Sequence, residues 1–196
     1  MADKLKINDK DAIIVVDVQN CFLPGGALGV EEGDEIIPVL NKLIPKFETK
    51  VFTRDWHPSD HCSFSDDPEF KDKSWPPHCV RNTEGAEFGP DLKVPDDAII
   101  ISKADDPEKE AYSGFQDTEL TDKLKERGVE RVFIGGLATD FCVKFTTLHA
   151  IERGFETIVV RDAAKGIDNP EGSVQEALKE MEDAGAKVVT SDRIEA

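Results

Sequence analysis

The chain has 196 residues, 24 of them Lys or Arg against 41 Asp or Glu, for a formal charge of −17. That length suits one domain with a substantial buried core, and so acidic a balance disfavours nucleic acid and anionic membrane surfaces, which need clustered Lys and Arg. The opening MADKLKINDK is polar, with no apolar stretch before a cleavage site, and no apolar run approaches the roughly 20 residues of a membrane span, so a soluble, cytoplasmic protein is expected.

Along the chain, apolar runs alternate with segments of helical period. AIIVVDV at 12–18 is dominated by β-branched residues, as in a strand buried on both faces. Residues 34–48 put Ile36, Leu40, Leu43, Ile44 and Phe47 on one helical stripe, with Pro38 tolerable in a first turn. KVFTRD at 50–55 and AIIIS at 98–102 read as the next two strands. A helix over 118–127 ends at Gly128, a left-handed cap. Strand RVFIGG leads into a helix over 140–153 stopped by Gly154, followed by strand ETIVV at 156–160, a helix over about 170–184 and strand KVVTS. Six strands joined by helical crossovers predict an α/β fold, a three-layer αβα sandwich around a mostly parallel, Rossmann-like sheet. In such sheets reactive groups gather at the carboxyl ends of strands.

Residues 56–97 break this rhythm. They show no clear period, yet they hold six of the eleven prolines, three of the four histidines, two of the four cysteines and both tryptophans. A connection of that length inside one domain is usually functional or disordered; the Trp and Pro content argues for an ordered, site-bearing insertion. The four cysteines, with no secretion signal beside them, read as thiols or ligands and not as a disulfide framework.

Cys142 follows RVFIGG and opens a helical segment. There, a helix dipole and free backbone N–H groups favour a thiolate and can receive an oxyanion. A cysteine nucleophile needs a base. His149 lies seven residues on, about 10 Å along a helix axis, and cannot reach. Asp17, closing the first strand, and Lys103, just past the third, stand where the strand-end rule would bring them beside Cys142. A charge that closes a β-branched run is costly when buried alone, so Asp17 needs a cation, and Lys103 is the natural one. Where the second strand meets the insertion, Asp55 and His57 project the same way from an extended segment. With His78 they form a two-His, one-carboxylate set with open positions, suited to Zn²⁺ or Fe²⁺ and compatible with Mn²⁺. His61 is a spare fourth donor. The bland alternative is a closed zinc site made from His57, His61, Cys62, His78 and Cys79, whose spacing matches no paired C-x-x-C module.

With these residues in this order, the sequence resembles the nicotinamidase branch of the isochorismatase-like cysteine hydrolases over nearly its whole length. The matching blocks are DVQNCF at 17–22, DWHPSDHCSF at 55–64, SWPPHCVRNTEGAEF at 74–88, YSGF at 112–115 and GLATDFCV at 136–143. The resemblance implies one isochorismatase-like hydrolase domain with Cys142 as nucleophile, Asp17 as general base and later acid, and Lys103 as the cation holding Asp17 ionised. It also implies a cis peptide before Ala138, whose N–H joins that of Cys142 in an oxyanion hole. Asp55, His57 and His78 take the places of ligands to one divalent metal ion, zinc first, and His61 that of a ligand in some relatives only. Phe22 and Trp75 match aromatic walls around a substrate ring, and Tyr112 closes the pocket. The implied substrate is nicotinamide, with pyrazinamide as an open question and a homo-oligomer left open by family habit. Two positions depart from the pattern. Asn82 stands where glycine is common, and Cys21 where an acidic residue is frequent. The rivals are another small-amide or ureido hydrolase on the same scaffold, a non-haem iron oxygenase using the Asp/His/His set, and a non-catalytic metal-binding module.

Overall fold

The computed structural model describes residues 4–196. In chain order the strands are β1 (Leu5–Lys6), β2 (Asp11–Val16), β3 (Thr49–Asp55), β4 (Ile99–Lys103), β5 (Arg131–Leu137), β6 (Glu156–Lys165), β7 (Lys187–Val189) and β8 (Ile194–Glu195). The helices are α1 (Ile37–Leu43), α2 (Leu120–Glu126), α3 (Lys144–Glu152) and α4 (Ser173–Ala184). Six strands form one sheet in the order β4-β3-β2-β5-β6-β7, every pair parallel, as the alternation of strands and crossovers predicts. β1 and β8, which the sequence did not reveal, pair as a separate two-stranded ribbon.

The β-branched run of β2 feeds both faces of the sheet. Ile13 and Val15 join a core with Phe52, Phe133 and Ile158 under α1, on the face that the insertion also covers through Cys79, Ala86 and Leu92. Ala12, Ile14 and Val16 join the opposite core with Val51, Ile101 and Ile134 under α2 and α3, and α4 packs beside them through Leu178 and Met181 on Val159. Because alternate residues of a strand face opposite ways, a single apolar run serves two layers. All five stripe residues read from 34–48 lie in the first core. Their helix is shorter than predicted: α1 passes into 3₁₀ turns at Gly33–Ile36 and Ile44–Lys46. Pro45 has no N–H to carry the α pattern further.

Three other boundaries differ by three residues or more. The helix expected from residue 140 opens as a π turn, Thr139–Val143, in which the Val143 N–H reaches the Ala138 carbonyl at 3.1 Å; such turns recur at functional sites. β6 runs five residues beyond the predicted ETIVV through a register shift against β5. The extra residues lie in β6, where 160–163 stand opposite Gly135 alone; beside the shift, Gly136 of β5 has φ of 127°, and a Cβ there would lie 2.1 Å from the Val16 carbonyl oxygen. α4 starts at Ser173, three residues late, behind a loop whose Asp168 carboxylate accepts from the Gly172 and Val174 N–H groups. The expected caps hold, with Gly128 and Gly154 at φ of 69° and 87°. None of the described helices is long and apolar enough to cross a membrane.

Candidate active site

The chain runs outward from β2 to β3 and β4, then returns to the other side of β2 with β5, β6 and β7. The crevice at such a switch point, beyond the carboxyl ends of the strands, is where open α/β sheets bind ligands. Here Asp17 directly follows β2, β3 ends in Asp55, β4 in Lys103, and β5 passes through Ala138 into the turn that holds Cys142.

Lys103 is the hub. Its Nζ lies 2.8 Å from Asp17 Oδ2 and 2.5 Å from Asp55 Oδ1, and it donates to Cys142 Sγ at 3.5 Å and to the Ala111 carbonyl at 3.3 Å. Asp17 Oδ1 also accepts from the Thr53 hydroxyl at 2.7 Å. All of these groups are buried. Burial pulls the Lys103 ammonium toward deprotonation, but the Asp17 and Asp55 carboxylates and the Cys142 sulfur outweigh it and hold the pKa well above that of an ordinary lysine. Burial raises the Asp17 carboxyl, with Lys103 opposing it. Burial also pushes the Cys142 thiol well up, again against Lys103. Burial therefore favours the thiol, against the thiolate that the helix-start position alone predicts. Desolvation exceeds what one turn of N–H dipoles returns, so deprotonation needs a partner base.

The insertion supplies the facing half of the site. Gln19, fully buried, staples it down: its amide donates to the carbonyls of Asp55 and Ala86 and its oxygen accepts from the Asp55 N–H. The Nδ1 of His57 bonds the His78 carbonyl at 3.1 Å, and the Nδ1 of His78 bonds the Pro76 carbonyl at 2.7 Å. A carbonyl can only accept, so both rings carry their proton on Nδ1 and present a bare Nε2. His57 Nε2 is buried without a hydrogen-bond partner among the described residues, 4.0 Å from Glu110 Oε1. Burial lowers both imidazole pKa values, that of His57 to about 2. Donor atoms of Asp55, His57 and His78 lie within 4.8 Å of one another, and Nδ1–H groups anchored on carbonyls are how metal-binding imidazoles are oriented. An orphaned Nε2 in a neutral ring beside a carboxylate fits a divalent ion.

His61 sits against His57, ring centroids 4.4 Å apart, but its Nε2 is spent on the Lys109 carbonyl and its Nδ1 on Ser63. The closed zinc site does not form: Cys62 is exposed, and Cys79 is paired elsewhere. This corrects the expectation of thiols or ligands in place of disulfides. Cys21 and Cys79 form a disulfide across 58 residues, while Cys62 and Cys142 are free. The insertion folds back over the turn that follows β2 and brings two distant cysteines together, which spacing along the chain could not show. The second departure also has a structural account. Asn82 has φ of 61°, a left-handed conformation that suits glycine and that Asn adopts more readily than most residues.

Between the two halves lies a narrow cavity lined by Phe22, Trp75, Tyr112, Ala138, Cys142 and His78. All three predicted wall residues border it, and the Leu137–Ala138 peptide is cis. Sequence reading missed Leu28, Glu110, Phe141 and Ile167, which also line it. Phe141 packs edge-on against Trp75 at 5.2 Å and stood beside Cys142 in TDFCV. Glu110 had no such signal among so many acidic residues, yet burial raises its carboxyl pKa above the usual range.

A three-layer parallel α/β fold with a buried Asp–Lys–Cys set at its switch point defines the class: the chain belongs to the isochorismatase family, whose domain matches residues 11–193. It is 40% identical to the nicotinamidase of Acinetobacter baylyi over 97% of both chains. Among solved structures it is similar to the pyrazinamidase of Pyrococcus horikoshii in complex with zinc, at 49% identity and a TM-score of 0.85 over 92% of this chain and 99% of that one. It is also similar to PnC1 from L. infantum in complex with nicotinate, at 32% identity and a TM-score of 0.89 over 98% and 99%.

Proposed function

We propose that the protein is a nicotinamidase, hydrolysing nicotinamide to nicotinic acid and ammonia through a thioester on Cys142. One observation carries the reading. The Lys103 ammonium touches Asp17, Asp55 and the Cys142 sulfur at once, at the foot of an aromatic cavity whose far side presents bare imidazole nitrogens.

Asp55, His57 and His78 would hold one divalent ion, zinc first, with Fe²⁺ or Mn²⁺ as alternatives. When bound, the ion supplies a Lewis acid for a ring nitrogen and draws electron density from the ring. Phe22 and Trp75 hold the ring between them with Tyr112 at the edge, so the carboxamide carbon faces Cys142. Asp17 takes the thiol proton, and Lys103 balances the charge that forms. The sulfur attacks the carbon, and the N–H groups of Ala138 and Cys142 receive the oxyanion, each such donor contributing roughly 3–4 kcal/mol in comparable sites. Asp17 returns its proton to the amide nitrogen, the C–N bond breaks and ammonia leaves. Asp17 then deprotonates water, which adds to the thioester; the C–S bond breaks, and the proton goes back to sulfur as nicotinic acid departs. Splitting one difficult hydrolysis into two steps in this way is covalent catalysis. Pyrazinamide keeps the ring nitrogen and the carboxamide and fits the same contacts.

The test is ammonia release from nicotinamide by the purified protein and by Cys142→Ala, with metal content measured beside it. The wild type should release ammonia and carry about one divalent ion per chain. Cys142→Ala should lose about 10⁴-fold or more in rate yet keep the ion, whereas His57→Ala and His78→Ala should lose the ion. Turnover that survives in Cys142→Ala removes the mechanism. An oxygenase would survive that change and require oxygen.

A further inference from the structure

Trp75 forms a wall of the cavity, and its orientation is set by more than packing. Its indole Nε1–H donates to the Tyr112 hydroxyl at 3.1 Å, and that hydroxyl donates to Asp72 Oδ1 at 2.8 Å. The direction of this chain is determined by chemistry. An indole nitrogen can only donate, so the Tyr112 oxygen accepts from it and turns its single proton to the carboxylate, which can accept. A carboxylate at the end makes the terminal bond charge-assisted, and bonds in series strengthen one another. The Tyr112 ring is held apart from this chain by stacking on Phe145, centroids 5.4 Å apart and planes 20° off parallel. The indole meets Phe141 edge-on.

Asp72 is exposed, outside the cavity, on an excursion of the insertion closed at its neck. There Phe64 bridges Trp75, and the N–H groups of Ser65 and Trp75 bond the carbonyls of Trp75 and Ser63. The bond to Tyr112 therefore ties the tip of this excursion to the segment after β4 and fixes the indole between them.

We propose that Asp72 is a positioning residue for the ring-binding wall: through the Tyr112 hydroxyl it fixes the plane that Trp75 offers to the substrate. The inference rests on the hydrolase reading above and extends it to a residue that touches no substrate. Contacts between aromatic planes depend on their mutual angle, so a loosened indole should weaken ring binding without touching the Asp17, Lys103 and Cys142 chemistry.

Steady-state kinetics on the metal-loaded enzyme with nicotinamide test this, with calorimetric binding of nicotinic acid measured in parallel. Loss of one such hydrogen bond, about 1 kcal/mol, corresponds to about a fivefold change in affinity. Asp72→Ala should raise KM, and weaken nicotinic acid binding, about fivefold with kcat within twofold, and Tyr112→Phe should raise KM and weaken that binding by a similar factor. The double variant should be no worse than either single one, because both break the same chain. Asp72→Asn, which keeps an acceptor oxygen, should recover most of the loss. Asp72→Ala alone keeps the test alive if Tyr112→Phe folds poorly, since Asp72 is a surface residue. Unchanged KM and affinity in Asp72→Ala overturn the inference, as do strictly additive effects or a fall confined to kcat. Absence of ammonia release by the wild type would overturn the hydrolase reading instead, and the nicotinic acid affinities would still rank the variants.

Discussion

Lys103 shows how much depends on one buried cation. Two carboxylates and a thiol sit within reach of a single ammonium, all out of water. Removing one partner of a buried ion pair leaves a stranded charge, at a cost of about 3–5 kcal/mol. Lys103→Met should therefore lower both stability and turnover, while Cys142→Ala should abolish turnover and leave the melting temperature close to that of the wild type. Thermal melts beside ammonia assays separate the two. The need for such a cation was legible in the sequence, because an aspartate closing a β-branched run cannot stay charged alone. Asp55 as a second carboxylate on the same lysine was not, since in the sequence it stood with the histidines. Nor could adjacency reveal that burial, and not the start of a helix, sets the state of the Cys142 thiol.

Among the elements, long apolar strands and amphipathic stripes were readable because periodicity reports burial directly. Their ends were decided by contacts with other parts of the chain. β6 extends because its polar continuation finds Gly136 and Leu137 across a register shift. α1 shortens at Pro45, and the turn under Cys142 widens around the Ala138 carbonyl. Gly136 is where this geometry tolerates no side chain. A Cβ there would meet the backbone of Val16 at 2.1–2.8 Å, with φ at 127°. Gly136→Ala should cost about 3 kcal/mol and lower the melting temperature by roughly 6–12 °C, as differential scanning calorimetry would show. An unchanged melt would mean that β5 moves away from the Val16 backbone freely. The insertion lacked a period because it is held by single bridges and the Gln19 staple and not by regular elements. Its histidines and tryptophans nonetheless marked it as ordered.

For the molecule as a whole, neutral buried imidazoles tie stability to acidity. His57 and His78 have pKa values lowered in the fold, His57 to about 2, whereas an unfolded histidine titrates near 6.5. Below about pH 6.5 the unfolded chain binds protons that the folded chain refuses, so the contribution of these rings is complete above that pH and is lost as the pH falls toward their folded values. Each ring can add up to about 1.4 kcal/mol per pH unit to that slope. The metal-stripped protein should melt progressively earlier from pH 6.5 downward, and His57→Gln should flatten the dependence by about one proton. A melting temperature that is level between pH 6.5 and 4.5 would contradict this. The order of the sheet has one more consequence. Positions 17, 55, 103 and 142 are remote in the chain and meet only where β2, β3, β4 and β5 stand side by side. No fragment or half-assembled intermediate can gather them, so turnover should disappear in the same denaturant transition as the far-ultraviolet dichroism, making catalysis a gauge of complete sheet assembly.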